Sequence, residues 1–293
     1  MLGTHHFHGL VRDNLSAGED DVIMTIFKVF DPIGLVTVSA AVAAMVYRKQ
    51  YSAGHHQLLF SLFCSWLVLL VFSILSDFIL ADVVCYMFAG VGQLLNSAVF
   101  LWEVSISVNL LRVIVLGHRI SRGNMLVNHW LVWSASLFFT ALPMTTSDLG
   151  HPSCWINDTS TGSVWRILTF YAPLLAYFVV ILLCYTAIGI SLCRRRFDVT
   201  HHAFSSSGSP KMLSKKSVAY LMLYPLVFMA CWFPGVIHRY YQIDTGNDNF
   251  GLAVAHAVGQ SLHPILSVVV YSWPSIITLA QQLKHRCFPV DDL

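Results

Sequence analysis

Charge is what this sequence has least of. Asp, Glu, Lys and Arg make up 11% of the 293 residues, against 56% hydrophobic residues. A soluble domain carries about a quarter charged residues, so a water-exposed globular fold is excluded. The chain also lacks an apolar secretory signal at its start. Residues 1–21 are polar and His-rich, so the first apolar stretch acts as its own insertion signal. There is no internal repeat, which argues against a transporter built from duplicated halves. The one low-complexity stretch, Ser205-Ser206-Ser207-Gly208-Ser209-Pro210, reads as a flexible linker.

What the chain does have is apolar length. Seven stretches, 22–47, 57–78, 86–117, 126–146, 165–193, 216–241 and 250–272, reach the length a helix needs to cross a bilayer. That length is about 20 residues for roughly 30 Å of hydrocarbon. The expected fold class is therefore all-α, a seven-transmembrane helix bundle over 22–272, preceded by an N-terminal segment, 1–21. Residues 273–293 are expected to hold a short amphipathic eighth helix and a tail. Trp273, Ile276, Ile277 and Leu283 lie in the interface there, with Lys284 and Arg286 toward headgroups. Cys287, just beyond, is either a palmitoylation site or a free thiol.

Basic residues fall on alternate loops. Arg48, Lys49, Arg119, Arg122, Arg194, Arg195, Arg196, Lys211, Lys215, Lys216, Lys284 and Arg286 share one side, and only Arg12, Arg166 and Arg239 the other. The positive-inside rule then puts the N-terminus outside and the C-terminus in the cytosol, in the plasma membrane. Two glycosylation sequons, at Asn14 and Asn157, fall on the expected outer side. So do only two cysteines, Cys85 and Cys154, and the oxidising compartment predicts a disulfide between them.

Polar groups within spans are costly and mark function or interhelical bonding. Glu103 lies 18 residues past Cys85, about 27 Å down the helix. It is either an activation switch or a lock between helices. Gln93, Asn96 and Ser97 offer a polar face in the outer half of the same span, and His256, Gln260 and His263 a face of span seven. Two such faces imply a shared ligand cavity or interhelical hydrogen bonds. Trp232 sits two residues before Pro234, where a proline interrupts the backbone ladder, so the indole can couple a pocket to a kink. Arg166 and Arg239, with His238, are the cations within reach of an anionic ligand; the alternative is snorkelling to headgroups. Arg112, Arg119, Arg122, Arg196, Lys215 and Lys216 form a basic inner rim, with Arg112 deepest.

Several local motifs resemble one receptor family. Ser153-Cys154-Trp155-Ile156, followed by Trp165-Arg166-Ile167-Leu168-Thr169-Phe170-Tyr171-Ala172-Pro173-Leu174, is similar to the second outer loop and fifth span of the cyclic-AMP-receptor-like G-protein-coupled receptors. Phe100-Leu101-Trp102 resembles that family's third span. Tyr224-Pro225-Leu226 with Trp232 and Ile237-His238-Arg239 resembles its sixth. There are departures: Glu103 replaces a Thr, and Ser65-Trp66 stands where several members have Ser-Asp. The resemblance implies a receptor for a small extracellular ligand, with cyclic AMP a candidate, acting on a heterotrimeric G protein. The ligand sits between spans three, five, six and seven, which places Tyr171 in the pocket. No catalysis, cofactor, metal or nucleic acid is expected.

The rival classes fit less well. A retinal protein needs a lysine in span seven, and none is there. A membrane zinc hydrolase could draw on Ser73-x-x-x-Asp77, His256 and His263, but the histidines are seven apart and a third ligand is missing. A transporter or channel lacks a charged pore ring.

Overall fold

A computed structural model describes residues 16–52, 54–76, 82–118, 121–146, 148–150, 155–157, 159–201, 215–245 and 247–287. Nearly all are helical. The helices are α1 (Ala17–Tyr47), α2 (Gly54–Ser76), α3 (Asp82–Ile114), α4 (Arg122–Met144), α5 (Ser160–Arg166), α6 (Ala172–His201), α7 (Lys215–Thr245) and α8 (Phe250–Cys287). A π-helical turn, Ile167–Tyr171, joins α5 to α6, and the three make one apolar span over Ser160–Arg194. Within the bilayer only a helix satisfies its own backbone polar groups, which is why apolar length reads directly as helix.

Six helices are long and apolar enough to cross a membrane, counted among the described residues. The expected sixth span lies in α7, a helix of 31 residues. The separate eighth helix expected from 273 is instead a continuation of α8, one helix of 38 residues. Pro274 does not end it, because a proline forfeits one backbone bond while its fixed φ still suits a helix.

Helix ends follow local chemistry. Glu19 Oε2 accepts from the Ser16 backbone N–H at 3.0 Å and opens α1. Thr159 Oγ1 accepts from Gly162 N at 2.8 Å and starts α5 five residues before the apolar stretch begins. Past α3, Gly117 adopts a left-handed φ of 68°, and the chain turns so that His118 N donates to Arg112 O at 3.1 Å.

α3 is the central pillar. In its apolar window 61% of residues are buried, against 28% in α1 and α4. It touches α2, α4, α6 and α7, while α8 closes the bundle by packing on α7 and α1. Val36, Trp130, Leu131, Leu137, Phe138 and Leu183 remain exposed, an apolar outer surface suited to lipid. Lipid is as apolar as these side chains, so cohesion between helices rests on close packing and small residues. Ala253 and Ala257, both fully buried on α8, provide such contacts.

One end of the bundle carries a two-stranded antiparallel hairpin that the apolar pattern does not foretell. β1 (Leu149–Gly150) pairs with β2 (Trp155–Ile156). Asp148 anchors it: Thr159 Oγ1 donates to its carboxylate at 2.8 Å, and Asn157 N donates to its carbonyl at 2.6 Å.

Candidate functional site

The hairpin lowers Trp155 into the bundle, where the residue is 1% exposed. Its indole N–H donates to Gln93 Oε1 at 2.9 Å, and Gln93 Nε2 donates to Thr169 O at 3.3 Å. Gln93 of α3 thus ties the hairpin to the π turn. The π turn inserts an extra residue per turn, and Thr169, Phe170 and Tyr171 are all buried there.

Beside this plug lie the two arginines, and both are buried rather than at the surface. The Arg166 guanidinium donates through Nε and Nη2 to Ile156 O at 3.0 and 2.8 Å, and stacks over Trp155 at 5.4 Å. Arg239 Nε donates to Tyr171 Oη at 2.6 Å, and its Nη1 donates to Gln242. Snorkelling is therefore overturned for both: the folded hairpin and π turn supply buried oxygens that the linear sequence does not reveal. Gln242 donates to Asp248. Asp248 lies 3.2 Å from His238 Nε2, and His238 Nδ1 lies 3.4 Å from His256 Nδ1. Arg239→Met would strip Tyr171 and Gln242 of their partner. The expected cost is about 1–3 kcal/mol, read as a lower melting temperature of the purified protein; unchanged melting would mean that the network contributes nothing.

Below the plug is an aromatic layer. Phe100 packs edge-on against Trp232 with centroids 4.7 Å apart, and meets Phe170 at 5.4 Å and Phe228 at 5.6 Å. Such pairs contribute about 0.5–1.5 kcal/mol each beyond area burial. Trp232 is fully buried, so any shift of α7 must move this cluster.

Below that layer three helices meet at one imidazole. Trp232 Nε1 of α7 donates to His263 Nδ1 of α8 at 3.3 Å. His263 Nε2 stands 3.3 Å from Glu103 Oε1 of α3, with both side chains completely buried. That contact is too misaligned for a hydrogen bond, and neither Glu103 oxygen has a hydrogen-bond donor among the described residues. An indole nitrogen only donates, so His263 Nδ1 must accept and the neutral ring carries its proton on Nε2, facing Glu103. Trp66 closes the arrangement, edge-on to His263 at 5.0 Å.

The three polar residues of span seven therefore meet different neighbours at different depths. His256 faces His238, His263 faces Glu103, and Gln260 turns toward α1 and α2. Asn96 lies with Gln260 rather than with Gln93, and Ser97 is buried in α3. Cys85 is disulfide-bonded. Asn14, Asp77, Arg119, Cys154 and the Ser-rich stretch lie outside the described residues, as do the side chains of Arg122, Arg196, Lys215, Lys216 and Cys287.

Comparison with known proteins decides the family. The model for the slime mold cyclic AMP receptor matches residues 16–285. The chain belongs to that family. G-protein coupled receptor 1 of Arabidopsis thaliana is 25% identical over 94% of this chain and 85% of its own length. Cyclic AMP receptor-like protein E and Cyclic AMP receptor 1 of Dictyostelium discoideum are each 26% identical, over 61% and 66% of this chain. These matches span about half of the two slime mold proteins, 54% and 45% of their lengths. A crystal structure of squid rhodopsin shares the fold, with a TM-score of 0.67 at 15% identity, covering 99% of this chain and 93% of the other. The chain is thus a multi-pass membrane protein of G-protein-coupled-receptor type.

This member of the cyclic AMP receptor family builds its interior with residues that the motifs alone leave unassigned. Asp248, Gln242, Thr169 and Trp66 all touch the polar chain or the plug. Asp31 is the clearest omission: a carboxylate inside an apolar stretch stands out by rarity alone.

Proposed function

We propose that the protein is a receptor whose N-terminus is extracellular. A small ligand reaches the space beneath the hairpin, between α3, the π turn, α7 and α8, and the protein then activates a heterotrimeric G protein in the cytosol. The observation that carries the reading is the contact of Glu103, His263 and Trp232, which links three helices through one ring directly beneath an aromatic cluster. A ligand pressing on Trp232 or Phe170 alters that contact. The receptor opens only to the extent that the ligand prefers the open state.

Support also comes from charge. Arg48, Lys49, Arg112 and Arg194 lie at the end opposite the hairpin, where they favour the cytosolic face and an acidic docking partner. Arg119, Arg122, Arg196, Lys215 and Lys216 extend that rim in sequence. The Cys85 disulfide is assigned to Cys154, and Asn14 and Asn157 to glycosylation.

Cyclic AMP is the first ligand to test, because relatives carry its name. Both arginines are already hydrogen-bonded to protein oxygens, so a cyclic phosphate would compete with Ile156 O and Tyr171 Oη for them. The test is nucleotide exchange on a panel of heterotrimeric G proteins, with purified receptor in nanodiscs, with and without cyclic AMP. Exchange above that of empty nanodiscs is expected with at least one G protein, and a rise with cyclic AMP would name the ligand. Exchange no faster than with empty discs across the whole panel would overturn the receptor reading.

A further inference from the structure

The polar chain beside the plug ends on one nitrogen. Asp248 Oδ1 accepts from Gln242 Nε2 and stands 3.2 Å from His238 Nε2, so that nitrogen carries a proton and donates. His238 Nδ1 and His256 Nδ1 are 3.4 Å apart, which leaves room for one shared proton between them. The nitrogen left over is His256 Nε2. It is buried, on a residue 0% exposed, and has no hydrogen-bond partner among the described residues. The ring lies against Gly235 of α7, where an added Cβ would stand 2.5 Å from His256 Cδ2 and 2.6 Å from Nε2. Only a glycine admits an imidazole at that distance.

With one proton on His238 Nε2 and one between the Nδ1 atoms, both rings are neutral and His256 Nε2 presents a lone pair to Gly235. A third proton finds one vacant position, His256 Nε2. There it is an unmet buried donor, which costs about 1–3 kcal/mol. It also adds positive charge beside Arg239, whose field reaches His256. The neighbouring elements offer no relief. Tyr171 of the π turn is held by Arg239. On α1, which packs on α8, Glu19 is bonded to Ser16 and Asp31 to Ser73, Asp20 is half-buried, and Asp21 and Lys28 are exposed. Glu103 lies deeper, at His263.

We infer that His256 is an acid-sensing latch between α7 and α8. While its Nε2 is bare, the ring seats on Gly235; a proton there drives the ring off the glycine and parts the two helices. Trp232, with its ring centroid 6.0 Å from that of His256, moves with α7. The latch requires neither a ligand nor a G protein.

The test is NMR of the purified chain in nanodiscs with isotope-labelled histidine, together with thermal unfolding, from about pH 8 to about pH 4.5. His256 Nε2 is assigned as the signal lost in His256→Phe. It should change from a bare nitrogen to an N–H as the pH falls. The unfolded chain takes up this proton freely near the ordinary imidazole value of about 6.5, so the stability held above that pH is lost below it. Over that window the wild type should lose about 2–4 °C more in melting temperature than His256→Phe. Should that variant fail to fold, His256→Gln, which also has no proton to gain, serves the same comparison. A His256 signal unchanged down to the lowest pH would overturn the inference. So would an acid loss of stability equal in wild type and variant, which would leave His256 a packing residue.

Discussion

Replacing Glu103 by Gln is expected to raise agonist-free nucleotide exchange about 5–30-fold, the population change that accompanies 1–2 kcal/mol. The reason lies in proton geometry. His263 accepts from Trp232 through Nδ1 at 3.3 Å and therefore presents its N–H to the Glu103 carboxylate. Gln at position 103 replaces the carboxyl group by an amide of the same shape. If its amide N–H turns toward His263, the ring must accept at Nε2 and carry its proton on Nδ1, against the Trp232 N–H. In either orientation the tie from α3 through α8 to α7 is weaker. Trp232→Phe keeps the ring and deletes the donor, so it should shift exchange in the same direction. Glu103→Asp keeps the carboxyl group at shorter reach and should fall between wild type and Gln. Wild-type exchange from a well-folded Glu103→Gln receptor would reduce Glu103 to a structural lock.

The second large effect is steric. A Cβ on Gly259 would stand 2.1 Å from Cys231 O and 3.1 Å from its carbonyl carbon. These are backbone atoms of the neighbouring helix α7, which cannot rotate aside as a side chain can. Gly259→Ala should therefore force α7 and α8 apart beside Trp232. Overpacking of this kind costs about 1–3 kcal/mol, here at a backbone-to-backbone contact, and should lower the melting temperature by several degrees. Gly189→Ala is the control. Nothing lies within 4 Å of its added Cβ, and Ala is favoured over Gly in a helix by about 0.5–1 kcal/mol. Equal melting of the two variants would show that the α7–α8 contact adapts.

The two experiments probe features that were unequally legible in the sequence. Glu103, Trp232 and His263 each stand out because a polar or bulky group in an apolar helix is costly, and the resemblance added weight to Trp232. Their convergence is tertiary and has no local signal. Arg166 and Arg239 show the opposite case. Residues at span ends suggest a wet position, yet Ile156 O and Tyr171 Oη, supplied by the hairpin and π turn, receive them in the interior. Helices were readable because lipid permits little else; their ends were not. Thr159 and Asp82 begin helices with polar residues that an apolar count passes over. The π turn leaves no mark in composition, since Ile167–Tyr171 reads as ordinary apolar helix. Asp31 carries the same signal as Glu103, and its bond to Ser73 appears only where α2 packs beside it.

The buried plug sets a time scale. Trp155 is held at once by Gln93, by the Arg166 guanidinium over its ring and by Phe170 at 5.5 Å. Any molecule arriving from the hairpin end must wait for that side chain to withdraw. Association is then gated, and the observed on-rate is the diffusional rate multiplied by the fraction of time the plug stands open. If the proposed ligand seats beneath Trp155, the same gate acts on its departure and lengthens its residence.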